Sequence, residues 1–409
     1  MTTSQLTPAG KLTLWALGLL MVSLLVHGRE VSTSGLLDRS GRVKASDYMR
    51  LYVTGVLADQ GRWPELFDAT AHVTTAKTRI SQGVAMEGLH PNYGPTTAWL
   101  LAPLSRLPFL LSWALFAAVS STVLLIGFWL LAQQTPALQP HRALVVLAAA
   151  ANPSLFETIR YGQLSALTTL LLVVAILLDR SKQPVLSGVA IGLAFYKPNL
   201  VLPAAAIWFI SGRWALLAGL CLGAIAHVAI GLLVAGPHAT AAWFGVLAEL
   251  ARSPQLVQGY PEEVHSLQGF WRMLGAHGLT LKLLAGSCSL IALGLAGRAW
   301  RSGFPSEQRW AALVLATVLV SPHLLTYDLL LLAPAVLLVA ASWIHAGNGG
   351  QGRWWLLGAL YFSPLASPLI ARFTGVQTST LVMLLLLALL CWRPGAVTAP
   401  SSINPSISS

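Results

Sequence analysis

One carboxylate draws attention near the start of the chain, in the stretch GRVKASDYMRLYVTG that runs from Gly41 to Gly55. Asp47 follows the first hydrophobic segment and has aromatic neighbours, so it could take up a proton at a membrane surface. The same stretch fits a helix start, because Ser46 or Asp47 could cap a helix whose apolar residues recur on one face. Spacing alone slightly favours the cap, and the two roles do not exclude one another.

Further ionisable and amide side chains interrupt three apolar segments. The interruptions read NPSLFETIRYGQ, FYKPN and VSPHLLTYDLL, and each combines proline with polar groups. Charged groups at membrane depth cost several kcal/mol, so they usually line a cavity or pair with one another. Taken singly, each residue has an ordinary explanation as an interfacial or packing side chain. Taken together, they predict a shared polar cavity that opens to one side of the membrane.

The segment GVAIGLAFYKPN illustrates both kinds of role. Gly188 and Gly192 have the spacing of close helix packing, which we favour for them over ligand binding. Pro198 biases Lys197 towards an extended conformation, at a break between helices. An ammonium group at such a break near the headgroup level is well placed to meet a phosphate, and this predicts a phosphate-binding role for Lys197.

Long hydrophobic runs must position these residues. The 409-residue chain is 55% hydrophobic and only 10% charged, whereas soluble domains carry about 25% charged residues. Runs such as LLSWALFAAVSSTVLLIGFWLLA are long enough to span a bilayer. The sequence therefore predicts an all-α polytopic membrane protein of about 12 transmembrane helices. The predicted crossings lie near 12–27, 109–132, 143–155, 163–178, 185–196, 199–211, 213–234, 280–297, 310–321, 324–342, 354–370 and 377–392, with a further apolar piece at 97–107.

The distribution of charge predicts an orientation in the plasma membrane. With the N-terminus inside, the cytoplasmic connections are rich in Lys and Arg, and their only acids are Asp179 and Glu307. Residues 1–392 then form one transmembrane domain with both termini in the cytoplasm, and 393–409 form a disordered tail. The outer side has two long segments, 28–95 and 235–279. The net charge of +11 follows from this topology and not from nucleic-acid binding, because no basic run interleaves with aromatic residues.

Several motifs are missing from the sequence. Cys221, Cys288 and Cys391 lie singly, without the paired spacing of a zinc site or a disulfide framework. The chain has no Asp-x-Asp pair and no glycine-rich phosphate loop, so we expect neither a metal nor a cofactor. The first segment lacks a small-residue cleavage site and is expected to be a retained anchor.

The polar stretches, taken in order, resemble those of a known family. They are SDYMRLYVTGVLADQGRWPELFD, HPNYGPTTAWLLAPLSRLP, NPSLFETIRYGQLSALTTLLLVVAILL, LSGVAIGLAFYKPNLVLP, SLQGFWRMLG and SPHLLTYDLLLLAP. Together they resemble the glycosyltransferase family 87 membrane proteins (the DUF2029 group) of the GT-C superfamily, from about residue 40 to residue 335. The resemblance implies many transmembrane helices and a catalytic acid in the first extracytoplasmic loop, where Asp47 is the matching position. Gly94 stands where family members often carry the first proline of a Tyr-Pro-Pro-like sequence.

The resemblance also implies a reaction. A mannose-like hexose or a pentose would move from a polyprenyl-phosphate donor to a hydroxyl of a lipid or glycan acceptor, with inversion, on the outer side of the membrane. Asp47 would be the general base that takes the hydroxyl proton. With the resemblance added, we favour this role over the cap.

The remaining polar residues are expected to bind the substrate. Lys197 is the first choice for the phosphate, followed by Arg160 and Arg272. His323 could donate to the phosphate or relay a proton, Asp328 would orient or charge-balance a neighbour, and Gln163 could hydrogen-bond the sugar. The predicted set is thus Lys197, Arg160, His323, Gln163, Arg272 and Asp328. Trp63, Tyr93 and Trp271 could stack on the sugar or the prenyl chain, although most of the tryptophans are expected to be ordinary interfacial residues.

Two other classes of protein fit part of the pattern. Broken helices with intramembrane charges also occur in transporters and lipid flippases. Against that class, no repeat relates the two halves, and the acids lie almost entirely on the predicted outer side. A non-catalytic assembly subunit is the third reading, and it would make Asp47 dispensable.

Overall fold

The computed structural model describes residues 7–81, 91–253, 261–347 and 350–392. In these ranges the chain forms 17 α-helices and no β-strand, with one isolated bridge between Leu37 and Val43. This confirms the predicted all-α class, and the apolar helices described below confirm a polytopic membrane protein. The predicted tail at 393–409 lies outside the described residues.

The helices, in chain order, are α1 (Pro8–Val31), α2 (Ser46–Asp59), α3 (Ala69–Arg79), α4 (Pro95–Ser105), α5 (Phe109–Gln133), α6 (Arg142–Ala150), α7 (Pro153–Tyr161), α8 (Ser165–Arg180), α9 (Pro184–Gly192), α10 (Pro198–Ile210), α11 (Trp214–Arg252), α12 (Leu267–Met273), α13 (Gly278–Arg301), α14 (Ser306–Val320), α15 (Leu332–Ala346), α16 (Gln351–Thr374) and α17 (Thr378–Cys391). Short 3-10 turns precede α10 and α15.

Six helical segments are long and apolar enough to cross a membrane, judged by length and composition: Pro8–Val31, Phe109–Gln133, Trp214–Arg252, Gly278–Arg301, Thr326–Ala346 and Gln351–Thr374. Each of the twelve predicted hydrophobic segments contains a helix, but several of these helices are short. The predicted crossing 143–155 is not one continuous helix. The amide oxygen of Asn152 caps a new helix, and Pro153 occupies the first position of that helix.

The second predicted outer segment, 235–279, is largely helical where the structure describes it. Helix α11 bends at Gly236, whose φ of 81° and ψ of 174° are not helical, and Pro237 follows directly. This kink lies close to the predicted end of the crossing 213–234. The chain then continues as helix to Arg252, and α12 follows in the same segment.

Glycines bring α9 and α11 into close contact. Gly188 and Gly192 of α9 face Gly219 and Gly223 of α11, and a methyl group added at Gly188 would come within 2.0 Å of a carbonyl oxygen of α11. A side chain at any of the four would therefore force the two backbones apart. The packing role predicted for Gly188 and Gly192 is confirmed.

Helix α2 belongs to the helical core, although it falls in the first predicted outer segment. Its side chains are mostly buried, and Leu51, Val53 and Leu57 are fully buried. A methyl group at Gly55 would meet the backbone of α4 at 2.9 Å, so the two helices are in close contact. Since α2 is fixed on several sides, the residues at its N-terminus have a defined position.

Candidate active site

Asp47 lies in the first turn of α2 without capping the helix. The N-cap residue is Ala45, which has left-handed backbone angles (φ 53°, ψ 50°), and no side chain bonds to the helix start. The alternative that Ser46 or Asp47 caps this helix is therefore wrong. The carboxylate of Asp47 instead accepts a hydrogen bond from the side-chain amide of Gln163 at 2.5 Å.

Gly162 brings Gln163 to this position. Helix α7 ends at Gly162, which adopts the left-handed conformation (φ 71°) typical of glycine after a helix. A Cβ atom at Gly162 would lie 2.4 Å from the Cβ of Tyr48, the residue that follows Asp47. Only glycine lets the end of α7 approach α2 so closely, and the next residue then reaches the carboxylate.

The hydroxyl of Tyr93 completes a chain of hydrogen bonds. It donates to Oε1 of Gln163 at 2.9 Å, and both side chains are buried. Burial, followed by the charges of Asp328 and Asp47, raises the pKa of the Tyr93 phenol. The phenol is therefore protonated and acts as a donor. Because an ionised carboxylate only accepts, the amide group of Gln163 must turn its nitrogen towards Asp47.

A buried ion pair lies next to this chain. Lys197 leaves the helical conformation (φ −122°, ψ 75°) immediately before α10, as the sequence predicted. Its ammonium group lies 2.6 Å from Oδ1 of Asp328, and the hydroxyl of Ser165 donates to the same oxygen at 2.6 Å. Asp328 therefore neutralises Lys197. Ser165 is two residues from Gln163, so the ion pair borders the Asp47 contact.

Aromatic rings and helix α7 hold the turn that carries Asp328. The ammonium of Lys197 lies 5.5 Å from the ring centroid of Tyr327, and that ring packs against Tyr161 with centroids 5.8 Å apart. Ser154 of α7 donates to the carbonyl of Thr326 at 2.8 Å. One helix thus positions both Gln163 and the turn with Asp328.

Arg160 lies beside this cluster in a group of mixed charge. Its guanidinium is 3.7 Å from Glu157, which also faces His27 at 3.4 Å. Burial, followed by the charge of Glu157, raises the pKa of the nearby Glu263. The described structure shows no direct contact between Arg160 and Asp47.

His323 and Arg272 form a second pair of neighbours. Burial lowers the pKa of His323, and the positive charge of Arg272 lowers it further. The backbone carbonyl of His323 accepts a hydrogen bond from Asn199 at 3.4 Å, and Nδ1 of its ring is buried without a hydrogen-bond partner among the described residues. The structure thus brings together Asp47 with Gln163 and Lys197 with Asp328, while the contact that links His323 to this region is the one from Asn199, two residues after Lys197.

Arg50 is a residue of this region that the sequence reasoning missed. It lies on α2 three residues after Asp47, a spacing that places two side chains on one face of a helix. Its charge is within electrostatic range of the Tyr93 and Tyr327 hydroxyls. Among the described residues, no carboxylate lies within ion-pair distance of its guanidinium. The signal in the sequence was the Asp-x-x-Arg spacing itself.

A cavity of about 270 Å³ lies elsewhere, between the ends of α14, α15, α16 and α17. Its lining includes Gln308, Trp343, Arg353 and Trp392 and contains none of the predicted site residues. In the described ranges no three His, Cys, Asp or Glu side chains converge as metal ligands would.

A family model described as glycosyltransferase family 87 matches residues 92–322. The match covers more than half of the chain, and the protein belongs to glycosyltransferase family 87. It is a membrane glycosyltransferase. The matched region includes Tyr93, Gln163 and Lys197, whereas Asp47 and Asp328 lie outside it. No curated protein and no solved structure matches the chain.

Proposed function

We propose that the protein transfers a mannose-like hexose or a pentose from a polyprenyl-phosphate donor to a hydroxyl of a lipid or glycan acceptor. The transfer takes place on the outer side of the plasma membrane, with both termini in the cytoplasm. Asp47 is the general base, and neither a metal nor a further cofactor takes part. Membership of a glycosyltransferase family favours this function over transport or lipid flipping.

The contact between Asp47 and Gln163 is the observation that carries the proposal. A carboxylate in the first turn of a buried helix, oriented by a buried amide and free of a helix-capping role, has a fixed direction. A base must lie within hydrogen-bond reach of the proton that it removes, and a fixed direction satisfies this condition better than a mobile surface acid.

The proposed step is a single displacement at the sugar. The acceptor oxygen attacks the anomeric carbon while Asp47 takes its proton. The bond from that carbon to the phosphate oxygen breaks, and polyprenyl phosphate leaves with the electron pair. Attack from the opposite face inverts the configuration of the anomeric carbon.

Positive groups stabilise the departing phosphate in this proposal. Lys197 comes first, because it borders the Asp47 contact, and Arg160 and Arg272 extend the positive region. Asp328 and Ser165 orient Lys197, and His323 serves the phosphate side. Gln163 is buried against Asp47.

The test compares two aspartates of the same helix. Asp47→Asn keeps the shape of the side chain and the contact with Gln163 but removes the base, so we expect normal folding and donor binding with transfer reduced about a hundredfold or more. Asp59→Asn is the matched control: Asp59 ends α2 and pairs with Arg106 at 2.8 Å. Ordinary turnover by the Asp47→Asn protein on its acceptor would refute the proposal.

The orientation has its own test. Ala69 is exposed at the start of α3 in the first predicted outer segment. In intact cells, Ala69→Cys should react with a membrane-impermeant maleimide added outside. Labelling only after the membrane is permeabilised would contradict the proposed orientation. It would also contradict a donor on the outer side of the membrane.

A further inference from the structure

We infer that Tyr93 and Gln163 form a positioning relay that fixes the Asp47 carboxylate, so that Gln163 acts on the base and not on the sugar. The inference rests on the proposed function, in which Asp47 is the general base. It assigns Gln163 a different partner from the sugar that its place in the sequence suggested.

Both ends of the Gln163 side chain are already occupied. Oε1 accepts from the Tyr93 hydroxyl at 2.9 Å, and Nε2 donates to Oδ2 of Asp47 at 2.5 Å. Gln163 is only 5% exposed and Tyr93 only 7%. A sugar hydroxyl would have to displace one of these buried contacts, and a buried polar group that loses its partner is destabilising.

The order of donors along the relay has only one solution. A protonated phenol donates to the amide oxygen, the amide nitrogen then faces the carboxylate, and the carboxylate accepts. Removing the Tyr93 hydroxyl would leave Oε1 without a partner and take away the reason for this amide orientation. Tyr93 therefore reaches Asp47 through Gln163, although its hydroxyl bonds only to the amide.

The relay occupies one oxygen of the carboxylate. Among the described residues, Asp47 has no second side-chain donor, so Oδ1 is available for an acceptor hydroxyl. The position of the carboxylate then depends on the same two side chains.

Three single variants test the relay in the full-length protein in detergent or vesicles. Gln163→Met removes the amide at similar length, and Tyr93→Phe removes one hydroxyl. Tyr48→Phe is the matched control, because Tyr48 is next to Asp47 and its buried hydroxyl bonds instead to Ser112 at 2.7 Å. The measurements are kcat and KM for the lipid-linked sugar.

The relay predicts a particular pattern. Gln163→Met should lower kcat about thirtyfold with little change in donor KM. Tyr93→Phe should lower kcat about fivefold, again with little change in donor KM. Tyr48→Phe should leave both kcat and donor KM close to wild type. In the double variant Tyr93→Phe should add almost nothing to Gln163→Met, since it acts through Gln163.

Two results would overturn the relay while the base proposal survives. One is a higher donor KM for Gln163→Met with kcat unchanged, which would make Gln163 a sugar ligand. The other is an inactive Asp47→Asn protein beside Tyr93→Phe and Gln163→Met proteins that keep the wild-type kcat. An active Asp47→Asn protein would instead remove the base itself, and the relay with it.

Discussion

Charged side chains lie near both ends of helix α8, and the two groups differ in how their charges are paired. At its C-terminal end, Arg180 lies 2.8 Å from Glu307 and donates to Thr135 at 2.5 Å. The neighbouring Asp179 accepts from the indole of Trp310 at 2.9 Å. Both residues have partners on α14, and Thr135 lies just after the end of α5, so this group joins α8 to α14 and to the turn that follows α5.

The N-terminal end of α8 is less completely paired. Lys197 and Asp328 satisfy one another beside Ser165. Asp47 has a neutral amide as its partner, just as Asp179 has a neutral indole. Arg50, three residues after Asp47, differs because no carboxylate lies within ion-pair distance of it in the described chain. Among the described residues, the charge left without an ion pair or a hydrogen bond at this end is therefore that of Arg50.

The difference separates a structural group from a functional one. Buried charges that pair fully hold helices together, and removing one partner exposes the other to the full cost of burial. Charges that a fold leaves incompletely paired at membrane depth are usually there for a substrate. The comparison therefore fits a stabilising role for the C-terminal end of α8 and the proposed transfer role for its N-terminal end.

The largest effect on stability is expected at Lys197. Lys197→Gln leaves Asp328 charged and only 7% exposed, which should cost about 3–5 kcal/mol of unfolding free energy. The double variant Lys197→Gln/Asp328→Asn should recover most of this loss, because no charge is left unpaired. Unfolding in detergent measures both effects.

The double variant also tests the phosphate role of Lys197. If the ammonium of Lys197 contacts the donor, the folded double variant should show a donor KM at least about tenfold above wild type. A wild-type donor KM would make Lys197 purely structural. The two ends of α8 would then both serve stability.

Arg180→Gln should cost somewhat less, about 2–3 kcal/mol, because Glu307 is about one quarter exposed and water can partly replace the partner. The kcat of the folded fraction should not change. Glu307→Gln is the companion variant with the same expectation. A loss of kcat without a loss of stability would contradict the structural assignment of this end.

The sequence predicted the parts of this comparison that depend on local pattern. The helical segments, the close packing at Gly188 and Gly192, and the break in the helix at Lys197 all follow from hydrophobicity, small-residue spacing and proline sterics. The backbone of Lys197 is not helical, although its ψ of 75° falls short of the extended conformation that was expected. Each of these patterns is local in the sequence. The structure that it produces could therefore be predicted without knowledge of the fold.

The contacts that define the site could not be predicted in the same way. Asp47 and Gln163 are 116 residues apart, and Lys197 and Asp328 are 131 apart. Which polar residues meet depends on how the helices pack and on backbone features such as the left-handed Ala45. The cap alternative was wrong for this reason, since local spacing does not reveal the conformation of the residue before the helix.

Arg50 should have a moderate effect that is confined to substrate use. Arg50→Gln removes a charge that has no carboxylate partner among the described residues. No carboxylate therefore loses an ion pair, and the free energy of unfolding should be nearly unchanged. If this charge faces the donor phosphate, the donor KM should rise about tenfold, or about 1.4 kcal/mol, and Arg50→Lys should retain part of the affinity. Arg106→Gln is the control, because Arg106 pairs with Asp59 at the other end of α2. An unaltered donor KM in Arg50→Gln would contradict a role of Arg50 in binding the donor phosphate.

The smallest effect concerns the backbone before Asp47. A left-handed conformation is unfavourable for alanine by about 1–2 kcal/mol and free of this cost for glycine. Ala45→Gly should therefore stabilise the fold by about 0.5–1 kcal/mol, after the greater entropy of glycine in the unfolded chain is subtracted. Ala58→Gly, within the helical part of α2, is the matched control and should destabilise by a similar amount. If the strained alanine also restricts Asp47, Ala45→Gly should lower kcat severalfold in spite of its greater stability. A more stable protein with unchanged kcat would show that Gln163 alone is sufficient to hold the carboxylate.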